Sequence, residues 1–311
     1  MPMSHYPHGF NHGVAIRNMP VLNTYSGNIY WVDSGAGSDG NKGTFDRPLA
    51  TVDKAVSLCA ANNGDTIMLK AGHAENVADA TTFQVDKAGV SIIGLGTGSD
   101  RPTFTFTNTA GSVEVDSANT YIENVRLLAS VSAVVVGVNV DADNCTLVDV
   151  EWDFDETGDD FLIMLDVVDA SDCHVFGATF RAEEATAGAV KAVHLDNADG
   201  FRCVGSAAFG DFSDAVIKSD TDDDTGDAGN KSNGILIAHN VFQNDDTDNG
   251  ACIDLDAAET GMIAYNALTT TGSTGVGAAL DPGSCIPVEN YASSQADRSA
   301  SLVPATADTI A

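Results

Sequence analysis

Large apolar residues recur in pairs five positions apart through the middle of the chain, each pair following a turn of Asn, Asp or Gly. The pairs are Ile122 and Leu127, Leu147 and Trp152, Val175 and Phe180, Ile237 and Phe242, and Ile263 and Leu268. Cys203 and Phe209 belong to the series with one extra residue between them. First members step by 25, 28, 28, 34 and 26 residues. A second signal precedes each turn: VEVD at 113–116, VNVD at 138–141, LDVVD at 165–169, VHLD at 193–196 and IDLD at 253–256. This alternation marks half-buried strands, and the Asp, Ala and Asn residues that follow mark turns. No single unit is long enough to bury its own apolar residues, so a neighbour must cover them, which is the logic of a solenoid. One coil then holds two or three short strands.

The pattern predicts an all-β protein, a right-handed parallel β-helix. A leucine-rich repeat is excluded because no LxxLxLxxN phrase and no helix within the repeat is present. A β-propeller has a longer period and other signature dipeptides.

Three segments surround or interrupt the repeat. Residues 1–27 read as an extended N-terminal arm, 28–272 as the β-helix and 273–311 as an irregular C-terminal tail ordered by subunit or capsid contacts. LATVDKAVSLCAANN (49–63) places Val52, Ala55, Val56 and Cys59 on one helical face, which predicts an amphipathic α-helix capping the open end of the solenoid. The polar stretch 218–234 accounts for the long 34-residue step and is expected to protrude as a loop.

Charge narrows the partners. Against 45 acidic residues stand 14 basic ones, a net charge of −31. Such a surface repels nucleic acid and anionic membranes, both of which are bound through Lys and Arg. No apolar run approaches the roughly 20 residues needed to span a bilayer, and no basic start followed by an apolar stretch suggests a secretory signal. The six cysteines lack CxxC pairing and are expected to be buried free thiols of a protein made in a reducing cytoplasm.

The phrase WVDSGAGSDGNKGTFDRPLATVDKAV, followed by NNGDTIMLKAG, resembles the opening of pectate-lyase-like β-helix proteins of tailed bacteriophages, over roughly residues 28–270. The resemblance implies a homotrimer on the virion, as a tailspike or a capsid decoration (cement) protein. Pectate lyases of this superfamily hold Ca²⁺ through clustered carboxylates beside an Arg or Lys base. Acidic clusters are present at Asp153, Asp155, Asp159 and Asp160, at Asp220 to Asp227, and at Asp245, Asp246 and Asp248. All three fall in expected loops, where Asp is common as a turn residue. The second begins like an EF-hand with Asp220, Asp222 and Asp224, then lacks Gly at the sixth position and has Lys231 where a bidentate Glu belongs. These three are weak calcium candidates, and no cofactor is expected.

The GHG and RIK phrases of polygalacturonase-like hydrolases are absent, as are phosphate-cradling loops and serine-nucleophile elbows. Trp31 reads as part of an opening strand and Trp152 as a core residue. Asn240 and Asn266, in equivalent repeat positions, predict a stacked amide ladder; Cys145 and Cys173 likewise share a position.

The expectation is therefore a non-catalytic virion protein on the capsid surface of a phage made in the bacterial cytoplasm, partnered with itself and the major capsid protein. Its anchoring contacts would come from Tyr6, Phe10, Val14, Ile16, Met19, Val21 and Leu22 in the arm, and Tyr291, Leu302 and Val303 in the tail. The alternative is a tailspike that binds, and in some forms cleaves, a host surface polysaccharide.

Overall fold

A computed structural model describes residues 14–16, 19–21, 27–183, 188–219, 231–247, 250–271, 279–294 and 303–304. Three parallel sheets stack their strands coil on coil. Sheet 1 has ten strands, from Ile29–Val32 to Ile286–Val288. Sheet 2 runs from Ala74–Val77 to Tyr291–Ser294, with Val303–Pro304 added antiparallel at its edge. Sheet 3 has eight, from Phe83–Val85 to Leu280–Asp281. From Thr66–Leu69 onward the chain passes from sheet 1 to 2 to 3 coil after coil, giving a parallel β-helix of about eight turns; the first sheet 1 strand, Ile29–Val32, leads through a helix to the second.

The repeat read from the sequence is the observed register. Ile122 pairs with Leu147, Leu147 with Val175, Val175 with Cys203, Cys203 with Ile237 and Ile237 with Ile263, all in sheet 1. Each is the inward member of a short strand whose flanking residues face out, because side chains alternate across a strand. In sheet 2 the inward row is Leu127, Trp152, Phe180, Ala208, Phe242 and Leu268. Here one expectation is corrected: Ala208, not Phe209, occupies the core position, and Phe209 lies 41% exposed on the outer face. Alternation leaves no other choice once the spacing grows from five to six.

Sheets 1 and 2 meet at a two-residue corner. Its first residue has positive φ in successive coils: Asn124, Asp149, Gly177, Gly205, His239, Tyr265 and Glu289. Its second residue turns inward, as Val125, Val150 and Ala178 in the middle coils and as Asn240, Asn266 and Asn290 in the last three. These form the predicted ladder with one more rung. Asn240 Nδ2 donates to Asn266 Oδ1 at 3.0 Å, and Asn266 Nδ2 to Asn290 Oδ1 at 2.9 Å. Each amide oxygen also accepts the backbone N–H of the preceding rung, which satisfies polar groups in an otherwise apolar core.

The helix spans Val52–Leu58, shorter than the stretch 49–63, with Thr51 as N-cap. Val52, Ala55, Val56 and Cys59 are buried as the spacing requires, and the helix packs on the strands Ile29–Val32, Thr66–Leu69 and Phe83–Val85. It stops at Cys59 because the Asp65 carboxylate accepts the N–H of Ala60 (2.7 Å) and of Asn28 (2.6 Å), drawing the chain into the next strand. All six cysteines are buried free thiols.

Within the segment expected to be an extended arm, Val14–Ile16 pairs antiparallel with Met19–Val21. Tyr6, Phe10, Leu22 and Leu302 lie outside the described residues, as do Asp220, Asp222 and Asp224. Val303 pairs with Ala292 through its backbone, and Tyr291 is 47% exposed.

One buried carboxyl makes stability depend on pH. Glu259 accepts the N–H of Ser232 at 2.6 Å, beside Asp256. Burial raises its pKa from 4.5 to about 7, with the Asp256 charge adding to the rise. The folded state thus holds this proton more tightly than the unfolded chain, so stability is lost as pH rises from about 4.5 through 7. Glu259→Gln keeps the acceptor and removes the titration. Thermal unfolding should show the variant equal to the parent near pH 4 and more stable by about 2 kcal/mol at pH 8. An advantage that does not change with pH would refute this reading.

Candidate functional site

The outer face of sheet 2 carries two rows of side chains running parallel to the solenoid axis. The first row includes Arg126 and Glu151, immediately before the core residues Leu127 and Trp152. The second includes Asp153, Arg181, Phe209 and Gln243, each one residue after the inward position of its coil. Neighbouring rungs are about 4.8 Å apart. Acid, guanidinium, aromatic ring and amide therefore lie in line.

Ion pairs knit this face. Arg126 Nη2 meets Asp153 Oδ2 at 2.6 Å, Arg101 Nη1 meets Glu151 Oε2 at 2.9 Å, and Arg181 Nε lies 3.5 Å from Glu151 Oε1. Three of the seven arginines in a chain of net charge −31 thus gather on one face. Arg126 and Arg101 are committed to close partners. Arg181 is half-exposed and loosely held, and an exposed pair of this kind is worth roughly 0–1 kcal/mol, so it exchanges partners at little cost.

Beside the second row opens a shallow cleft of about 380 Å³, lined by Asp153, Phe154, Thr157, Arg181, Glu183 and Phe209. Two carboxyls in and near it are held by backbone N–H groups. Glu183 is buried and accepts the N–H of Gly158 at 2.6 Å. Asp160, also buried, accepts the N–H of Ala133 at 2.5 Å. Burial pushes the Asp160 carboxyl above its ordinary range, and the nearby charges of Glu183 and Asp159 push it further. The carboxyls of Asp153 and Glu183, a loosely held guanidinium and an exposed ring around a concave surface make up the usual inventory of a polar-ligand site.

The acidic residues singled out in the sequence distribute differently. Asp153, expected in a loop, stands on the strand Glu151–Phe154, with Oδ2 held by Arg126 and Oδ1 accepting the N–H of Phe154. Asp155 and Asp159 sit in the turn after that strand, and Asp245 and Asp246 in the turn after Val241–Asn244. Among the described residues no group of three or more His, Cys, Asp or Glu is arranged to hold a metal ion. Arg126, Arg181, Glu151, Glu183 and Phe209 are not among the residues that the sequence pattern picks out as a site. The signal is nonetheless present: at least one charged residue stands beside the inward member in VRLL, VEWDF and TFRA, at an outward position of its coil.

No protein-family model and no curated protein matches the sequence. Among the solved structures that resemble it are two lyases. A rhamnogalacturonan lyase superposes with a TM-score of 0.51 at 15% identity, over 85% of this chain and 73% of that one. Pectate lyase Pel9A gives 0.52 at 14%, over 86% and 75%. The parallel β-helix is the fold that this chain shares with both lyases. The expectation of a non-catalytic chain is corrected at this point, since two structures that share its fold are a rhamnogalacturonan lyase and a pectate lyase. The missing GHG and RIK phrases excluded one hydrolase signature and had no bearing on lyase chemistry.

Proposed function

We propose that the chain is a glycan-processing β-helix enzyme that lays an acidic polysaccharide along the outer face of sheet 2. The observation that carries this reading is the line Asp153, Arg181 and Phe209 on three consecutive coils beside the cleft. In a molecule this acidic, a carboxylated sugar is repelled almost everywhere, and the arginine-rich face is where the repulsion is relieved. Arg181 leaves Glu151 and pairs with the sugar carboxylate, Phe209 offers a ring face to the sugar, and Glu183 accepts from its hydroxyls.

Eliminative cleavage fits the arrangement. The proton α to the sugar carboxylate moves to Asp153 Oδ1, the oxygen that Arg126 does not hold, negative charge develops on the carboxylate held by Arg181, and the glycosidic C–O bond breaks. The leaving oxygen takes a proton from water, and a C=C bond remains in the new end sugar. A fixed cation at the developing charge is the main source of rate acceleration in such a step. The two lyases that share the fold support the reaction class, and the cleft supports its place.

The opening phrase WVDSGAGSDGNKGTFDRPLATVDKAV supports a place on a bacteriophage particle. Of the two virion positions, the polysaccharide face favours the tailspike, which meets host surface glycans.

Incubation with polygalacturonate, rhamnogalacturonan and acidic capsular polysaccharides tests the proposal. The expected result is a steady rise in ultraviolet absorbance from unsaturated uronate ends on at least one of them. No absorbance rise and no shortening of any of the three would overturn it.

A further inference from the structure

Sheet 3 carries a second polar line that the sheet 2 site does not use. Its outward row runs Gln84, Glu114, Asn139, Asp166, His194, Lys218 and Asp254 in register over successive coils. The line has two halves. In the C-terminal half the charges neutralise one another: Lys218 pairs with Asp254 and Asp214, and Lys191 lies 3.7 Å from Asp214. His194 Nδ1 meets Asp166 Oδ1 at 2.8 Å, while its Nε2 is buried and out of a ligand's reach.

The N-terminal half is open. A groove of about 390 Å³ has Glu114, Asn139 and Asp166 on its floor and Val135 and Val136 on its wall, with Val135 53% exposed. Ser112, itself buried, donates to Glu114 Oε1, and Asn139 Nδ2 donates to Glu114 Oε2 at 2.9 Å. These bonds orient the floor and leave capacity unused. A carboxylate offers about four lone-pair sites, of which two on Glu114 and one on Asp166 are filled by these contacts. The carbonyl oxygen of Asn139 has no partner among the described residues.

We infer that this groove is a second glycan site, for a neutral sugar strand lying parallel to the solenoid axis. It presents acceptors about 4.8 Å apart on successive coils, which hydroxyl groups satisfy. The apolar valine wall suits the C–H face of a sugar ring and gives nothing to an ion. Two carboxylates about 10 Å apart, with no arginine or lysine lining the groove, reject the acidic sugars that sheet 2 selects. The two faces thus divide glycans by charge, and this site stands whether or not sheet 2 cleaves.

Titration with a panel of neutral hexose and N-acetylhexosamine oligosaccharides, and with oligogalacturonate, tests the division. At least one neutral oligosaccharide should bind, and Asn139→Ala should weaken it tenfold or more. Val135→Asp, at a half-exposed position where folding is not at stake, should do the same. Both variants should leave oligogalacturonate binding within twofold of the parent, and Arg181→Ala should show the reverse pattern. Binding by no neutral sugar would overturn the inference. So would loss of neutral binding in Arg181→Ala, or a groove that responds only to a cation such as spermidine.

Discussion

Arg181→Ala lowers kcat/KM on an acidic polysaccharide by about 10²–10³-fold while the unfolding midpoint stays within about 0.5 kcal/mol of the parent. The size follows from what the side chain does in the proposed step. A guanidinium held at the developing charge acts where water is partly excluded, and removing one such group typically costs about 3–4 kcal/mol of transition-state stabilisation. The small stability effect follows from geometry. Arg181 is half-exposed and its contact to Glu151 is long at 3.5 Å. Arg181→Lys should restore charge without the planar fork and recover only part of the rate. Initial rates and urea unfolding on the same preparations check both halves. A rate within threefold of the parent would remove Arg181 from the chemistry.

Trp152→Ala destabilises the fold by about 3–5 kcal/mol, the range for deleting a fully buried large aromatic. The indole has no solvent exposure and stacks on Phe180 of the next coil at 4.7 Å with planes 21° apart. The neighbouring coil is shaped to receive it. A Cβ added at Gly137 would lie 3.0 Å from Trp152 Nε1 and 2.7 Å from the Met164 carbonyl oxygen, so glycine there makes room for the ring. Among the described residues Trp152 Nε1 has no hydrogen-bond partner, which makes Trp152→Phe milder than its loss of volume alone suggests. Urea denaturation of the two variants measures the difference. A Trp152→Phe loss as large as its change in volume alone requires would mean that the unpaired N–H carries no cost.

Trp152 also shows how the fold can be read from the sequence. Its five-residue spacing from Leu147 is the repeat, and that spacing exists because two short strands and a two-residue corner separate inward positions in every coil. Register follows from it, coil by coil, from Ile122 to Ile263. So does the amide ladder, because buried Asn240 and Asn266 must bond to something and each is within reach of the other.

The site is harder to see, because its residues touch across coils and not along the chain. Arg101 and Glu151 are 50 positions apart and bond at 2.9 Å. Phe209 reads as a core residue from its apolar character, yet its sixth-place spacing puts it outside. Asp153 falls with Asp155, Asp159 and Asp160 by adjacency in sequence, whereas the strand Glu151–Phe154 separates it from them and turns it toward Arg126. Aligning the outward positions in the same register as the inward ones assembles the row Asp153, Arg181 and Phe209 from the sequence alone.

The central claim is that an acidic glycan lies on sheet 2 over Arg181. It is tested most directly by the crystal structure of Asp153→Asn, slowed in turnover, with a bound oligogalacturonate. The account predicts a sugar strand along the Asp153–Arg181–Phe209 line, with one carboxylate within hydrogen-bond distance of the Arg181 guanidinium and a ring against Phe209. An oligosaccharide on another face, or an empty cleft at saturating concentration, would contradict it.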